Sequence, residues 1–304
     1  MINYSVLIPV YCKEKAKNFD LALKSVFDQT YKSNDVVIVC DGPLTPDLDL
    51  VIEKYSRHDA LSVIRLDSNR GLGVALNIGL EQCKNEIVMR ADSDDYSLPK
   101  RAEIEMSYLI NYNLDLVGSN IYEFVDSFEE LKSSREVPYS RKDIKKFCKT
   151  RNPFNHPSVM FKKSVIQSVG GYVEFPYFED YYLWARIISK QEYTYGNMNN
   201  VLVYMRIGDA DDQLKRRFSK QAIKSSYDMI KKLKELKIVN CFEFNFIIIL
   251  RKIFNSMPFA LKKCIYKKAL RKKVCNSDNE KNIKEIINQI KNIIQLIKNG
   301  RTNI

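Results

Sequence analysis

Three carboxylates close a short apolar stretch, Val88-Met89-Arg90-Ala91-Asp92-Ser93-Asp94-Asp95, and Tyr96-Ser97-Leu98-Pro99 follows them. Like charges gathered at a strand end repel one another, so a cationic partner makes the arrangement favourable; a divalent metal holding a phosphorylated ligand would serve. The same residues could instead form a solvated acidic turn capping the helix that Pro99 begins, since Asp is a common cap and Pro a common first-turn residue. Local sequence leaves both readings open. The chain has only two histidines, His58 and His156, which excludes a histidine-rich metal centre. Any metal must be held chiefly by oxygen, and that favours magnesium or manganese.

The elements that must carry these residues follow from hydrophobic pattern. Residues 5–11 and 36–40 are continuous apolar runs, separated by a stretch of helical spacing from Leu21 to Phe27, and the second run stops at the turn Asp41-Gly42-Pro43. A helix over residues 48–55, a strand over 61–66, a helix over 73–83 and a strand over 86–90 repeat the alternation. Apolar strands alternating with helices predict a mostly parallel sheet covered on both faces. Ligands bind such sheets at the carboxyl ends of the strands. Pro9-Val10-Tyr11, Asp41-Gly42, Asp67 to Gly71 and Asp92-Ser93-Asp94 are therefore expected on one rim, which favours the site reading of the acidic triplet.

Beyond Leu116 the order changes. Residues 117–125 read as a strand or hairpin, followed by a polar, charged stretch to Lys149. A proline-bracketed loop, Pro153-Phe154-Asn155-His156-Pro157, feeds a strand over 158–161, and residues 164–169 form a short helix stopped by Gly170-Gly171. Glu179-Asp180 opens an amphipathic helix to Ile188, and residues 201–206 close this half as a strand.

At 304 residues and 45% hydrophobic, the chain can bury a core and hold one large domain with an appendage. Its seven scattered cysteines form no CxxC pair and read as reduced, mostly buried residues. The N-terminus lacks a basic start and meets Pro9 too early for a signal peptide, and the apolar run 244–250 is far below the roughly 20 residues of a spanning helix. Neither a signal peptide nor a transmembrane segment is expected. The net charge of +12 is unevenly placed: residues 213–304 carry 23 Lys+Arg against 6 Asp+Glu, the rest 26 against 31. Two regions with opposite electrostatic purposes are implied.

In this order, Ile8-Pro9-Val10-Tyr11, Asp41-Gly42, Asn69-Arg70-Gly71-Leu72, Arg90-Ala91-Asp92-Ser93-Asp94-Asp95 with Pro99 and Arg101, and Glu179-Asp180 before Leu183-Trp184 resemble the inverting family 2 glycosyltransferases. The form of the Asp41 turn and of residues 155–161 looks most like the amylovoran-type enzymes that build O-antigen and capsule repeat units. The resemblance implies an α/β GT-A domain, a Rossmann-like nucleotide-diphospho-sugar transferase fold, over residues 1–207; the lysine-rich composition beyond it predicts a basic helical, membrane-associating extension over 208–304. It departs at Cys40, where many members carry a second aspartate.

Residue by residue, the resemblance implies that Pro9, Tyr11 and Glu14 surround the nucleotide and that Asp41 accepts a hydrogen bond from uracil N3. Asn69, Arg70 and Gly71 would approach the ribose and diphosphate. Asp92 would face ribose and metal, Asp94 would be the direct ligand of Mn2+ or Mg2+, and Asp95 is assigned to capping the next helix. Asp180 matches the base position, with Glu179 orienting it or binding acceptor hydroxyls. His156 is read as touching the acceptor diphosphate or the metal, Arg206 as pairing with phosphate, and Trp184 as core. An Asp-Gly turn, a helix-entry loop and an acidic first turn would each account for one of these residues singly.

The apolar residues Phe254, Met257, Phe259, Leu261, Ile265, Tyr266 and Leu270 interleave with Lys262-Lys263, Lys267-Lys268 and Arg271-Lys272-Lys273. An apolar stripe with a cationic face is the pattern of an interfacial helix on an anionic leaflet. No aromatic RNA-binding motif accompanies it, so nucleic acid is not an expected partner. The expectation is a peripheral enzyme on the cytoplasmic face of a bacterial inner membrane. The resemblance implies that it moves a hexose, galactose or glucose, from a UDP-sugar to GlcNAc or GalNAc on undecaprenyl diphosphate. A nucleotidyltransferase would show a glycine-rich loop with lysine after the first strand, where Val10-Tyr11-Cys12-Lys13-Glu14 stands. A catalytically inactive scaffold is disfavoured by the intact Asp92, Asp94 and Asp180.

Overall fold

Strand β1, Tyr4–Val10, is buried along its whole length, and its alternating side chains serve two separate cores. Val6, Ile8 and Val10 face one way and Leu7 the other, as the two-residue period of a strand requires. The computed structural model describes residues 2–128, 130–208 and 215–262. Its elements begin β1, α1 (Ala16–Phe27), β2 (Asp35–Cys40), α2 (Pro46–Tyr55), β3 (Leu61–Arg65), α3 (Leu72–Gln82) and β4 (Ile87–Arg90). The expected strand-helix alternation is therefore present, with boundaries within a few residues of those read from the pattern.

After β4 come β5 (Tyr96–Ser97), α4 (Arg101–Asn111), β6 (Leu116–Phe124), β7 (Leu131–Arg135), α5 (Arg141–Phe147), β8 (Val159–Lys162), α6 (Lys163–Ser168), α7 (Glu179–Ser189) and β9 (Tyr195–Arg206). All the strands join one sheet in the order β3-β2-β1-β4-β8-β6-β9-β5, with β7 paired to β6. β1, β2, β3 and β4 are mutually parallel, and β6 is parallel to β9. β8 runs antiparallel to both β4 and β6, so the sheet is mixed rather than uniformly parallel. Helices α1, α2 and α4 cover one face, and α3, α6 and α7 the other.

Two further helices, α8 (Lys220–Glu235) and α9 (Cys241–Ser256), follow. Met229, Ile230 and Leu233 of α8 and Ile247 of α9 lie in the same core as Leu183 and Ile187 of α7. The described part of the region after residue 208 thus shares the core of the α/β domain. Its helices have clear start signals: Ser219 caps α8, and Asn240 with Glu243 forms a capping box on α9. The cluster of basic residues from Lys263 to Lys273 lies outside the described residues, as do Cys264 and Cys275. Of the other cysteines, Cys12 and Cys241 are exposed, Cys40, Cys83 and Cys148 are buried, and all five are free.

Candidate active site

Parallel pairing of β1 to β4 brings their carboxyl ends side by side, and the ladder runs on to the rim through Asp41 N to Val10 O (2.8 Å), Leu66 N to Cys40 O (3.0 Å) and Ala91 N to Leu7 O (3.0 Å). On this rim Asp41 organises the neighbouring loop. Its Oδ1 accepts from the Arg70 amide at 2.6 Å and its Oδ2 from the Gly71 amide at 3.0 Å. The Asn69 side chain in turn donates to the Asp41 carbonyl at 3.3 Å. Gly42 makes this approach possible: its φ is +90°, and a Cβ there would stand 2.7 Å from the Asn69 nitrogen. Asn69 and Arg70 are exposed, as is Tyr11 at the end of β1, while Pro9 is buried within the strand.

The acidic loop faces the same rim. Ser93 Oγ donates to Glu14 Oε2 at 3.4 Å, and the Asp94 carboxyl is pushed up to about 7 by burial and by the charges of Asp92 and Glu14. Beneath it lies Arg90, only 1% exposed, whose Nη2 pairs with Asp92 Oδ1. A second buried arginine, Arg101, donates to the Arg90 carbonyl (2.8 Å), to Ser97 Oγ (3.1 Å) and to Glu105 (2.9 Å), fixing the end of β4 from below. Asp95 does not cap α4, contrary to expectation. It is buried and its Oδ1 accepts from the backbone amide of Arg206 at 2.7 Å, while the capping position of α4 is Lys100. Burial and the charges of Asp94 and Asp92 hold its carboxyl well above the ordinary range. The residue turns into the sheet because β9 passes directly behind the loop.

Arg206 is engaged on the same framework. Its guanidinium donates to the carbonyls of Asp94 (3.2 Å), Val125 (2.8 Å) and Asp126 (3.3 Å), and it lies 4.4 Å from the centre of the Phe124 ring. It therefore clamps the acidic loop to the ends of β6 and β9.

On the other side of the cleft, the side chain of Asn77 on α3 exchanges two hydrogen bonds of 2.7 Å with the backbone of Tyr172. The start of α3 also meets α7: a Cβ on Gly73 would lie 3.6 Å from Tyr172 Cβ and 3.9 Å from Glu179 Cγ. Asp180, in the first turn of α7, accepts from Asn152 Nδ2 at 2.6 Å and from the Tyr181 amide at 2.7 Å. Burial raises its carboxyl, opposed by the charges of Arg135 and Arg90 and by these two hydrogen bonds. Glu179 is raised as well, by burial and by Asp180 beside it. Tyr172 joins the two halves, lying within electrostatic reach of Arg90, Asp92 and Asp180.

His156 belongs to this junction. Its Nε2 is 3.0 Å from the Tyr172 hydroxyl, and burial, with the charge of Arg90, keeps the imidazole neutral at pH values well below its ordinary midpoint. Trp184 is fully buried against Phe154, Phe161 and His156, as its place on the helix predicted. Arg90, Tyr172, Asn152 and Arg135 were not read from the sequence as site residues. Only Arg90 gave a signal, as a charged residue at the end of an apolar strand that demands a carboxylate partner.

Could these residues hold a divalent cation? Glu14, Asp92, Asp94 and Asp95 repel one another, and this repulsion adds to burial in raising Asp94 and Asp95. Among the described residues no three His, Cys, Asp or Glu side chains converge as a protein-only cage. A hard cation held by one or two carboxylates and completed by phosphate oxygens fits this donor set.

Comparison with known proteins places the chain. The profile of Glycosyl transferase family 2 matches residues 5–169. The amylovoran biosynthesis glycosyltransferase AmsE of Erwinia amylovora is 34% identical over 87% of this chain and 98% of its own length. The UDP-Gal:alpha-D-GlcNAc-diphosphoundecaprenol beta-1,3-galactosyltransferase of Escherichia coli is 34% identical over 88% of this chain and 97% of its own. Among solved structures, S. aureus TarS 1-349 in complex with UDP superposes with a TM-score of 0.54, at 16% identity over 76% of this chain and 70% of TarS. Mannosyltransferase PcManGT from Pyrobaculum calidifontis in complex with GDP-Man and Mn2+ gives 0.56, at 13% identity over 86% and 83%. These structures share the GT-A fold with this chain.

Proposed function

The chain belongs to glycosyl transferase family 2, and from this premise we propose that it is a metal-dependent inverting hexosyltransferase. The reading has it move galactose or glucose from UDP to a GlcNAc or GalNAc carried on undecaprenyl diphosphate, in O-antigen or capsule assembly at the cytoplasmic face of the inner membrane. The observation that carries it is the placement of a raised, hydrogen-bonded carboxyl, Asp180, across Tyr172 from the acidic strand end at Asp92. The donor is favoured by the galactosyltransferase relative, whose name gives UDP-Gal as donor and a diphosphoundecaprenol-linked GlcNAc as acceptor.

In this reading the nucleotide lies on the rim. Tyr11 offers a ring face to the base, and a remaining lone pair of Asp41 accepts the uracil N3 proton while its two hydrogen bonds hold residues 69–71 in place. Glu14, Asn69, Arg70 and Gly71 flank the ribose and diphosphate, with Pro9 supporting the strand beneath. Asp92 and Asp94 would hold Mn2+ or Mg2+, which when bound neutralises charge on the departing diphosphate and is worth several kcal/mol to the transition state. Arg90 fixes Asp92 from below and Arg206 fixes the loop from behind.

Asp180 takes the proton of the acceptor hydroxyl as its oxygen attacks the anomeric carbon. The bond to the diphosphate oxygen breaks, and UDP leaves with the electron pair. A general base works best with a pKa near the operating pH, and burial moves this carboxyl in that direction. Asn152 and the Tyr181 amide aim it; Glu179 and the neutral His156 are placed to meet acceptor hydroxyls and diphosphate. The test is incubation of the purified protein and Mn2+ with a panel of UDP-sugars and a GlcNAc-diphosphate-lipid analogue, with products read by mass and anomeric configuration. A β-linked hexose on the analogue is the expected product. Hydrolysis of UDP-sugar without transfer, or an α-linked product, would overturn the reading.

A further inference from the structure

Helix α9 carries apolar residues on two sides, and only one of them meets the protein. Ile247 is buried against α8, and Phe244 and Ile248 pack on the same core. On the opposite side Phe242 is 80% exposed, and Phe246, Ile249, Leu250 and Ile253 are each about half exposed. Their spacing of four, three, one and three residues places all five on one face, about 16 Å long at 1.5 Å per residue. A contiguous apolar face of this kind on a folded domain marks an interaction surface.

Charge identifies the occupant. Exposed basic residues lie on α9 at Lys252 and on the adjoining α8 and its end at Lys231, Lys234 and Lys237. The sequence from 263 to 304 adds 11 Lys+Arg against 3 Asp+Glu. A second copy would bring the same excess of positive charge to the contact and repel it, whereas an anionic bilayer offers both hydrocarbon and negative charge. The face is also tied to the active site. Lys149 Nζ pairs with Glu243 in the first turn of α9, Asn152 donates to Asp180, and the Tyr181 hydroxyl donates to the Cys148 carbonyl at 2.6 Å. One short stretch, residues 148–152, thus joins α9 to the first turn of α7.

We propose that the exposed face of α9 inserts into the headgroup region of an anionic membrane and presents the Asp180 side of the cleft to an acceptor embedded there. The orientation rests on the transferase reading above; the docking itself does not, since it is measured without transfer. No described helix is long and apolar enough to cross a membrane, so this is an interfacial contact.

The test uses the full chain and vesicles of phosphatidylglycerol and phosphatidylcholine, or of phosphatidylcholine alone, in a flotation assay. Wild type is expected to float with the anionic vesicles, and Phe246→Glu/Ile249→Glu to lose at least tenfold in partition. Thermal unfolding of the variant should match wild type, because both positions are solvent-facing. On a short-chain, water-soluble acceptor its activity should equal wild type. Equal flotation of variant and wild type would overturn the proposal, as would failure of wild type to float or indifference to lipid charge. A concentration-dependent dimer abolished by the same substitutions, without vesicle binding, would assign the face to a second copy and refute the lipid contact.

Discussion

Replacing Arg90 by methionine separates two effects that a buried arginine ordinarily confounds. The side chain is 1% exposed, and its Nη2 pairs with Asp92, while its Nε and Nη1 have no hydrogen-bond partner. Loss of the pair removes a charge-assisted hydrogen bond of about 1.5–3 kcal/mol. Against this, methionine ends the desolvation of a guanidinium left half unpartnered, a cost of several kcal/mol in a protein interior. Asp92 keeps contact with water at 29% side-chain exposure and is not stranded. The net stability change in urea is therefore expected to stay within about 2 kcal/mol. The electrostatic effect has no such cancellation. The positive charge of Arg90, after that of Arg135, lowers the carboxyl of Asp180. Its removal therefore raises the Asp180 carboxyl further. The base must be ionised to act, so the acid limb of the kcat profile should move to higher pH. Arg90→Lys should fall between the two. An unmoved acid limb in Arg90→Met, measured on protein that remains folded, would refute the link between Arg90 and the base.

The two positive-φ glycines of the rim give a paired prediction. Gly71→Ala meets nothing within 4 Å and should cost only the backbone penalty of about 1–3 kcal/mol, whereas Gly42→Ala adds a clash with the backbone of residues 68 and 69 and should cost about 2 kcal/mol more in urea denaturation. UDP affinity should fall at least tenfold in Gly42→Ala, because the loop held by Asp41 is displaced. Asp94 gives a pH signature in the metal-free protein. Its folded pKa of about 7 lies above the unfolded value, so its contribution is fully present below about pH 4 and is lost as pH rises toward 7. Glu105, also raised to about 7 by burial, adds a decline in the same window. Asp94→Asn should flatten part of that fall in calorimetric melts, and should abolish the stabilisation that Mn2+ with UDP gives wild type near pH 7.

Much of the rim was readable because its cause is local. Continuous apolar runs over β1, β2 and β4 with helical spacing between them leave one arrangement, and the residues at the strand ends then fall together. The direction of β8 was not readable, because side-chain alternation is the same for parallel and antiparallel neighbours; only pairing with Leu116–Gly118 and Ile87–Met89 reveals it. β7 hid in a polar stretch: Leu131-Lys132-Ser133-Ser134-Arg135 has a strand's geometry without a strand's composition. Asp95 misled for a related reason, since an aspartate before a helix is a cap by every local criterion and its true partner, the Arg206 amide, is 111 residues away. The contact between α8 and α7 is also long-range in sequence, so the extension looked more separate than its shared core makes it.

Asp180→Asn tests at once that Asp180 is the base and that the rim holds the donor. Asparagine keeps the size of the side chain and can still pair with Asn152, so UDP-sugar affinity by calorimetry should stay within about twofold of wild type. Initial rates of transfer in Mn2+ should fall at least a hundredfold, the scale of a lost general base. Transfer within tenfold of wild type, or loss of UDP-sugar binding in parallel with rate, would contradict the account.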